Sequence, residues 1–129
     1  MKKLLITCLL AMLTSVAFAQ NSTIKAWANS FSYKTDGQRD WSKWQSVHIL
    51  VVIKNNRITI YSKETQEYDV ISSQEGYIDR DGDTVYKFTA VDQDGDKCNL
   101  RLIDRKSGDP QLYVDFSNFR WVYNLDFVK

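Results

Sequence analysis

A chain of 129 residues, 43% hydrophobic, with 17 basic and 16 acidic side chains, has the length of one domain and almost no net charge. Charges of both signs are interspersed, which argues against nucleic acid or an anionic membrane surface as the partner. Two cysteines are too few for a disulfide scaffold, so the fold must rest on its core.

Lys2 and Lys3 precede an apolar run from Leu4 to Val16 and then Ala17-Phe18-Ala19, with small residues at the two positions a signal peptidase inspects. This is the pattern of a bacterial-type secretory signal peptide over residues 1–19, cleaved after Ala19. A membrane anchor needs roughly 20 apolar residues, more than this run offers. The expected mature chain is a single domain over residues 20–129, secreted or periplasmic, with no transmembrane segment left. Cys8 leaves with the signal and Cys98 remains alone, read as a small buried hydrophobe in the alternation Cys98, Leu100, Leu102.

In chain order, the first strand runs from Thr23 to beyond Tyr33. Its odd positions Trp27, Phe31 and Tyr33 carry the bulk and are expected inward. Residues 35–46 are polar and irregular, but Trp41 and Trp44 are spaced for one helical turn after Asp40 as N-cap, a turn that could plug a barrel end. Residues 47–53 are apolar on both faces, as in a strand covered on both sides. Asn55-Asn56 reads as a tight turn, since Asn tolerates positive φ.

Further on, Gly82, Gly95 and Gly108 recur every thirteen residues, each followed by Asp83, Asp96 or Asp109. One strand and one turn fit that interval, and Asp-Gly punctuation between alternating runs signals antiparallel hairpins. The last run is the most regular, with Phe119, Trp121, Tyr123, Leu125 and Phe127 on the face expected to be buried. Eight strands result, near residues 22–34, 46–54, 57–62, 67–73, 84–92, 97–104, 110–116 and 119–127. Short successive connections favour an all-β, eight-stranded antiparallel up-and-down barrel, in which closure removes exposed edges. A two-sheet sandwich is the alternative.

The chemistry-bearing patterns are few. Asp79, Asp81, Asp83 and Asp92, Asp94, Asp96 could supply the oxygen ligands calcium needs. An EF-hand, however, puts glycine sixth and glutamate twelfth, and here glycine is fourth, with Ala90 and Ile103 at the twelfth positions. Structural Asp-Gly turns are the favoured reading, with no metal and no cofactor. The single histidine, His48, lies in the most apolar strand without an orienting carboxylate nearby and is expected to be buried or at an interface. Most acids fall in turns, Asp69 and Asp115 being the in-strand exceptions for two-carboxylate chemistry. No catalytic set emerges, so no enzyme is expected.

Trp27, Trp41, Trp44 and Trp121 are the candidate ligand-binding residues, clustered at one barrel mouth where rigid aromatic faces could hold a small apolar or sugar-like ligand. The bulk of the proposed inward set (Trp27, Phe31, Tyr33, Tyr86, Phe88, Phe116, Phe119, Trp121, Tyr123, Phe127) favours a filled interior over a hollow one. The architecture is similar to small secreted calycin or lipocalin-like barrels. Lys25-Ala26-Trp27 stands where lipocalins place a glycine two residues before the tryptophan, so the resemblance implies a fold and transfers no site residue. Ser107-Gly108-Asp109-Pro110 is loosely similar to the exposed serine-glycine loop of bacterial lysozyme inhibitors, small periplasmic barrels. Two functions follow as expectations: a non-enzymatic binding protein, or a protein-interaction module such as an inhibitor or envelope subunit.

Overall fold

The computed structural model describes residues 23–128, within which every regular element is a β-strand. These are β1 (Thr23–Thr35), β2 (Gln45–Lys54), β3 (Arg57–Ile60), β4 (Gln66–Ser73), β5 (Tyr77–Ile78), β6 (Thr84–Asp92), β7 (Lys97–Asp104), β8 (Gln111–Asp115) and β9 (Phe119–Phe127). The signal segment expected over residues 1–19 lies outside the described residues. No helix among them is long and apolar enough to cross a membrane.

All pairings are antiparallel, in the order β4-β3-β2-β1-β9-β8-β7-β6-β5, and pairing of β4 with β6 closes the sheet. The result is an eight-stranded up-and-down barrel of lipocalin-like topology plus one extra strand, and closure excludes the sandwich. The extra strand, β5, was not anticipated. After β4 leaves β6 at Ser73 opposite Phe88, the chain breaks at Gln74–Gly76, and β5 resumes the same edge with Tyr77 opposite Val85.

Inward positions alternate along each strand and fill the barrel. Ile58, Ile60, Leu100, Leu102, Leu112, Val114 and Leu125 are all buried, with Cys98 among them as expected. Fully burying one such aliphatic chain is worth about 1.5–3 kcal/mol, so this column dominates stability. Its shape is set by mixing sizes: Ala26 and Ala28 of β1 register with Phe127 and Leu125 of β9, and Ala90 registers with Cys98.

That mixing reverses the expected facing of β1. Ile24, Ala26 and Ala28 point inward, while Trp27 points outward, 38% exposed. A barrel of eight strands is only just wide enough for its side chains, and the large inward residues of β9 already occupy the space a tryptophan would need. A bulge between Ala28 and Ser30 then shifts the register against both neighbours. Beyond it Phe31 comes into register with Tyr123 and packs against the core as expected, whereas Tyr33, opposite Trp121, is 38% exposed at the end of the strand, so burial fails there too.

The helical turn expected after Asp40 is absent. Residues 36–44 instead lie along the outer wall, where the Ser42 amide donates to the Tyr33 carbonyl at 2.8 Å and Ser32 Oγ donates to the Ser42 carbonyl at 2.8 Å. Trp41 meets the Tyr113 ring edge-on, centroids 5.9 Å apart. These contacts cover outward-facing Ser32 and Val122, which are buried. An amide already bonded to a strand carbonyl is not available to a helical turn, and the barrel end remains unplugged.

Candidate functional site

Strand parity brings the connections over residues 36–44, 61–65, 93–96 and 116–118 to one end of the barrel. At that end a cleft of about 620 Å³ opens, bounded by the turns around Glu64, Asp94 and Asn118 and by the inward aromatics of β4, β8 and β9. Its volume is within the range of small-molecule sites, roughly 300–1,000 Å³.

One wall is aromatic. Phe116 and Phe119 bracket the β8–β9 turn, which is closed by the Phe116 amide donating to the Phe119 carbonyl at 2.9 Å. Their rings stack at 4.9 Å, and Phe119 stacks on Trp121 at 5.1 Å with planes only 18° apart. Tyr68 adds its ring 6.5 Å from Phe116. The Trp121 indole nitrogen is buried and has no hydrogen-bond partner. Such an unsatisfied donor costs about 1–3 kcal/mol unless an oxygen reaches it.

The floor is polar and neutral. Tyr68 Oη donates to Gln66 Oε1 at 2.6 Å, and Gln66 Nε2 lies 3.1 Å from Tyr123 Oη and 2.9 Å from Ser62 Oγ. Burial raises the hydroxyl pKa of both tyrosines, with the Gln66 bond partly offsetting it at Tyr123. Burial also pushes the nearby Cys98 thiol up to about 11, with Asp92 and Asp115 adding to the effect. Gln93 ties two loops together: its Nε2 donates to the Thr65 carbonyl at 2.7 Å and its Oε1 accepts from the Glu67 amide at 3.1 Å.

The rim includes the second Asp-rich turn. Asp92 Oδ1 accepts from the amides of Asp94 at 3.0 Å and Asp96 at 2.9 Å, while Gly95, at φ +84°, donates to the Asp92 carbonyl. Positive φ is the reason for glycine there. The first Asp-rich turn repeats the same bonds thirteen residues earlier, Asp79 Oδ1 serving the amides of Asp81 and Asp83. In both triads the carboxylate oxygens lie within 4.8 Å of one another, yet the first aspartate of each is occupied in turning the chain. The third turn is built differently, since Arg105 replaces that aspartate and its Nε donates to the Asp109 carbonyl at 2.7 Å.

Of the four tryptophans expected at the mouth, only Trp121 lines the cleft. Trp41 packs on the outer wall against Tyr113, and Trp44, 51% exposed, precedes β2. Trp27 lies outside on β1, its ring parallel to His48 at 4.1 Å. His48 is therefore exposed, which removes the buried half of the expectation that it is buried or at an interface, because it occupies an outward position of β2. Sequence reasoning missed Gln66, Tyr68 and Gln93 as site residues and counted Phe116 and Phe119 only as core. The signal that could have found them was the parity of the connections, which assigns their turns to one end.

Asp69 and Asp115, the two acids singled out for two-carboxylate chemistry, are held in ion pairs on the outer wall. Asp69 binds Arg57 at 2.7 Å, and Asp115 binds Arg101 at 2.7 Å, with Arg101 also over the Tyr113 ring. Neither is the carboxylic acid in an apolar surround that glycoside hydrolysis requires.

Together these features define a small closed barrel with a packed body and an aromatic cleft at one mouth. No protein-family model, curated protein or solved structure matches the chain.

Proposed function

We propose that this chain is a secreted or periplasmic, non-enzymatic binding protein that takes a small sugar-like ligand in the cleft at its barrel mouth. The observation that carries the reading is the half-buried wall of Phe116, Phe119 and Trp121 along the cleft, with the Phe119 ring 21° from the plane of Phe116 and 18° from that of Trp121. Rings of this kind cover the apolar face of a sugar at low entropic cost. Gln66, Gln93 and the rim carboxylates offer the hydrogen-bonding groups that orient hydroxyls. Export rests on the Lys2-Lys3, Leu4–Val16 and Ala17–Ala19 pattern.

The four indole N–H groups make the test direct. In a ¹H–¹⁵N spectrum of the mature protein, assigned by single Trp→Phe substitutions, a panel of neutral saccharides, amino sugars and apolar amines is titrated. A binding ligand should move the Trp121 signal and leave those of Trp27, Trp41 and Trp44 in place. Movement confined to the outer tryptophans, or a panel that moves none, overturns the reading.

The second reading, a protein-interaction module with a filled barrel, is favoured by the packed interior and by Ile78, 73% exposed beside exposed Tyr77 on β5. It predicts that replacing Ile78 by Ser abolishes recovery of a cross-linked partner from the native envelope and that Phe119→Ala does not.

A further inference from the structure

Residues 47–53 are apolar on both faces, the composition of a strand covered on both sides. The barrel covers only one of them. Val51 and Ile53 are buried inward, whereas Leu50 and Val52 point outward and remain half-buried. Register sets Trp27 opposite Leu50 and Lys25 opposite Val52, and the Tyr61 amide donates to the Leu50 carbonyl at 2.9 Å, so the outward side chains of β1, β2 and the end of β3 form one facet. The Trp27 indole is braced there by His48, their planes 6° apart. Trp44, which precedes β2, and Tyr61 are both exposed and continue the facet toward the mouth. Toward the other end it turns cationic. Lys25 and Lys54 are exposed and in no ion pair among the described residues, while Arg57 is taken by Glu67 and Asp69. Asp126, opposite Trp27, borders the facet on β9.

We propose that this facet is where two copies of the chain associate, face to face about a two-fold axis that crosses the strands at Leu50. Such an axis reverses one copy end for end. The Leu50 side chains then meet on the axis, Lys54 of each copy lies toward Trp44 of the other, and Lys25 lies toward the Trp27–His48 stack. An axis along the strands would instead oppose each lysine to its own counterpart. Ammonium over an indole face is attractive and like charges across a contact repel, so the graded facet selects the first arrangement. The contact covers the open side of Leu50 and Val52 and sets His48 at an interface. Three strands about 4.8 Å apart, taken over five outward positions about 6.7 Å apart, give roughly 400 Å² per copy. That is about half of the roughly 800 Å² per partner of a standard interface, so the dimer is weak, with a Kd on the order of 100 μM. It is isologous, each contact occurring twice. Trp27, Leu50 and Lys54 take no part in the cleft, so this inference stands apart from the ligand reading.

Sedimentation velocity of the mature protein without ligand, from about 5 to about 500 μM, brackets that Kd and tests the contact. Expected is a monomer at the low end and mostly dimer at the high end. Over the same range the Trp27 and Trp44 indole signals of the wild type should move, while those of Trp41 and Trp121 stay in place. This readout needs no variant, so a substitution that folds poorly leaves the test intact. Leu50→Thr, which keeps a strand-forming residue at an outward position, and Trp44→Ser should each weaken association about five-fold or more. Lys54→Gln should weaken it about three-fold, because glutamine brings no cation to Trp44. Tighter association of Lys54→Gln means that the lysines oppose one another, and it overturns the proposal. A protein that stays monomeric at the highest concentration overturns it too, the facet then serving another kind of partner. So does a dimer that survives both Leu50→Thr and Trp44→Ser, or one that forms without moving the Trp27 and Trp44 signals, since its contact lies on another face.

Discussion

The two halves of this barrel solve different problems with the same alternating pattern. Through the body, inward positions mix alanine and cysteine with Leu, Ile, Val, Tyr and Phe until the interior is filled and these residues are buried. Toward the mouth the inward residues become Phe31, Val47, Ile49, Phe116 and Trp121, which pack against the core without being fully covered by it. The body thus spends its apolar surface on stability, whereas the mouth keeps part of that surface open. A half-buried aromatic wall contributes less to folding than the closed column, and in the binding reading its open part is what a ligand covers.

Truncation at the two levels should separate these roles most strongly. Leu100→Ala leaves a cavity in the closed column and should cost about 2–5 kcal/mol in denaturant unfolding. Phe119→Ala, at a partly exposed mouth position, should cost less than about 1.5 kcal/mol while weakening whatever ligand moves the Trp121 signal. Similar costs for the two would mean that the mouth aromatics are core, and the contrast would fail.

Next in size is a comparison of the two Asp-rich turns, which have the same bonds at opposite ends of the barrel. Asp79→Ala and Asp92→Ala each strip two amides of their acceptor, and each should cost about 1–2 kcal/mol by the logic of a lost cap. Only Asp92→Ala should also disturb the cleft, because its turn lies on the rim. Calcium should protect neither wild-type turn against thermal unfolding if turning the chain is the whole role of the aspartates. A rise in Tm with calcium that is lost in either variant would make that turn a metal site.

How much of this was readable beforehand follows from which signals are local. The eight barrel strands, their order and the turn at Asn55–Asn56 were legible, because alternation and turn chemistry are written in neighbouring residues; the Asn pair indeed sits at φ 54° and 61°. The facing of β1 was not, because bulk at Trp27 suggested burial while the decisive fact was the size of Leu125 and Phe127 on a strand a hundred residues away. The bulge at Asn29 was equally hidden, since no residue type there demands one. Parity alone puts Trp41 and Trp44 at the same end as the cleft; they leave it because residues 36–44 fold back along the outer wall, where the Ser42 amide donates to the Tyr33 carbonyl, and no local pattern shows that. Parity would have grouped Glu64, Asp94 and Asn118 at one end with Trp121. β5 was lost because two residues are too few to show a period.

The smallest effect concerns where the body ends and the mouth begins, and pH can locate that boundary. Cys98 begins β7 at the mouth end, inward beside Ala90, and burial raises its thiol from 9.0 to about 11. Tyr68 is likewise raised above the ordinary tyrosine value. Both groups are neutral when protonated, so the native state favours the protonated form. Their contribution is fully present below pH 9 and is lost as pH climbs through the folded-state values. Unfolding free energy should therefore decline from pH 9 to about 11, and Cys98→Ala should remove the earlier part of that decline while leaving the later, tyrosine part. Thiol labelling in native protein should show the same delayed titration. If the thiol instead titrates at its ordinary value and stability stays level between pH 9 and 10, water reaches Cys98. The open cleft would then extend past Gln66 and Tyr123 into the body of the barrel, and a ligand could reach as deep as Cys98.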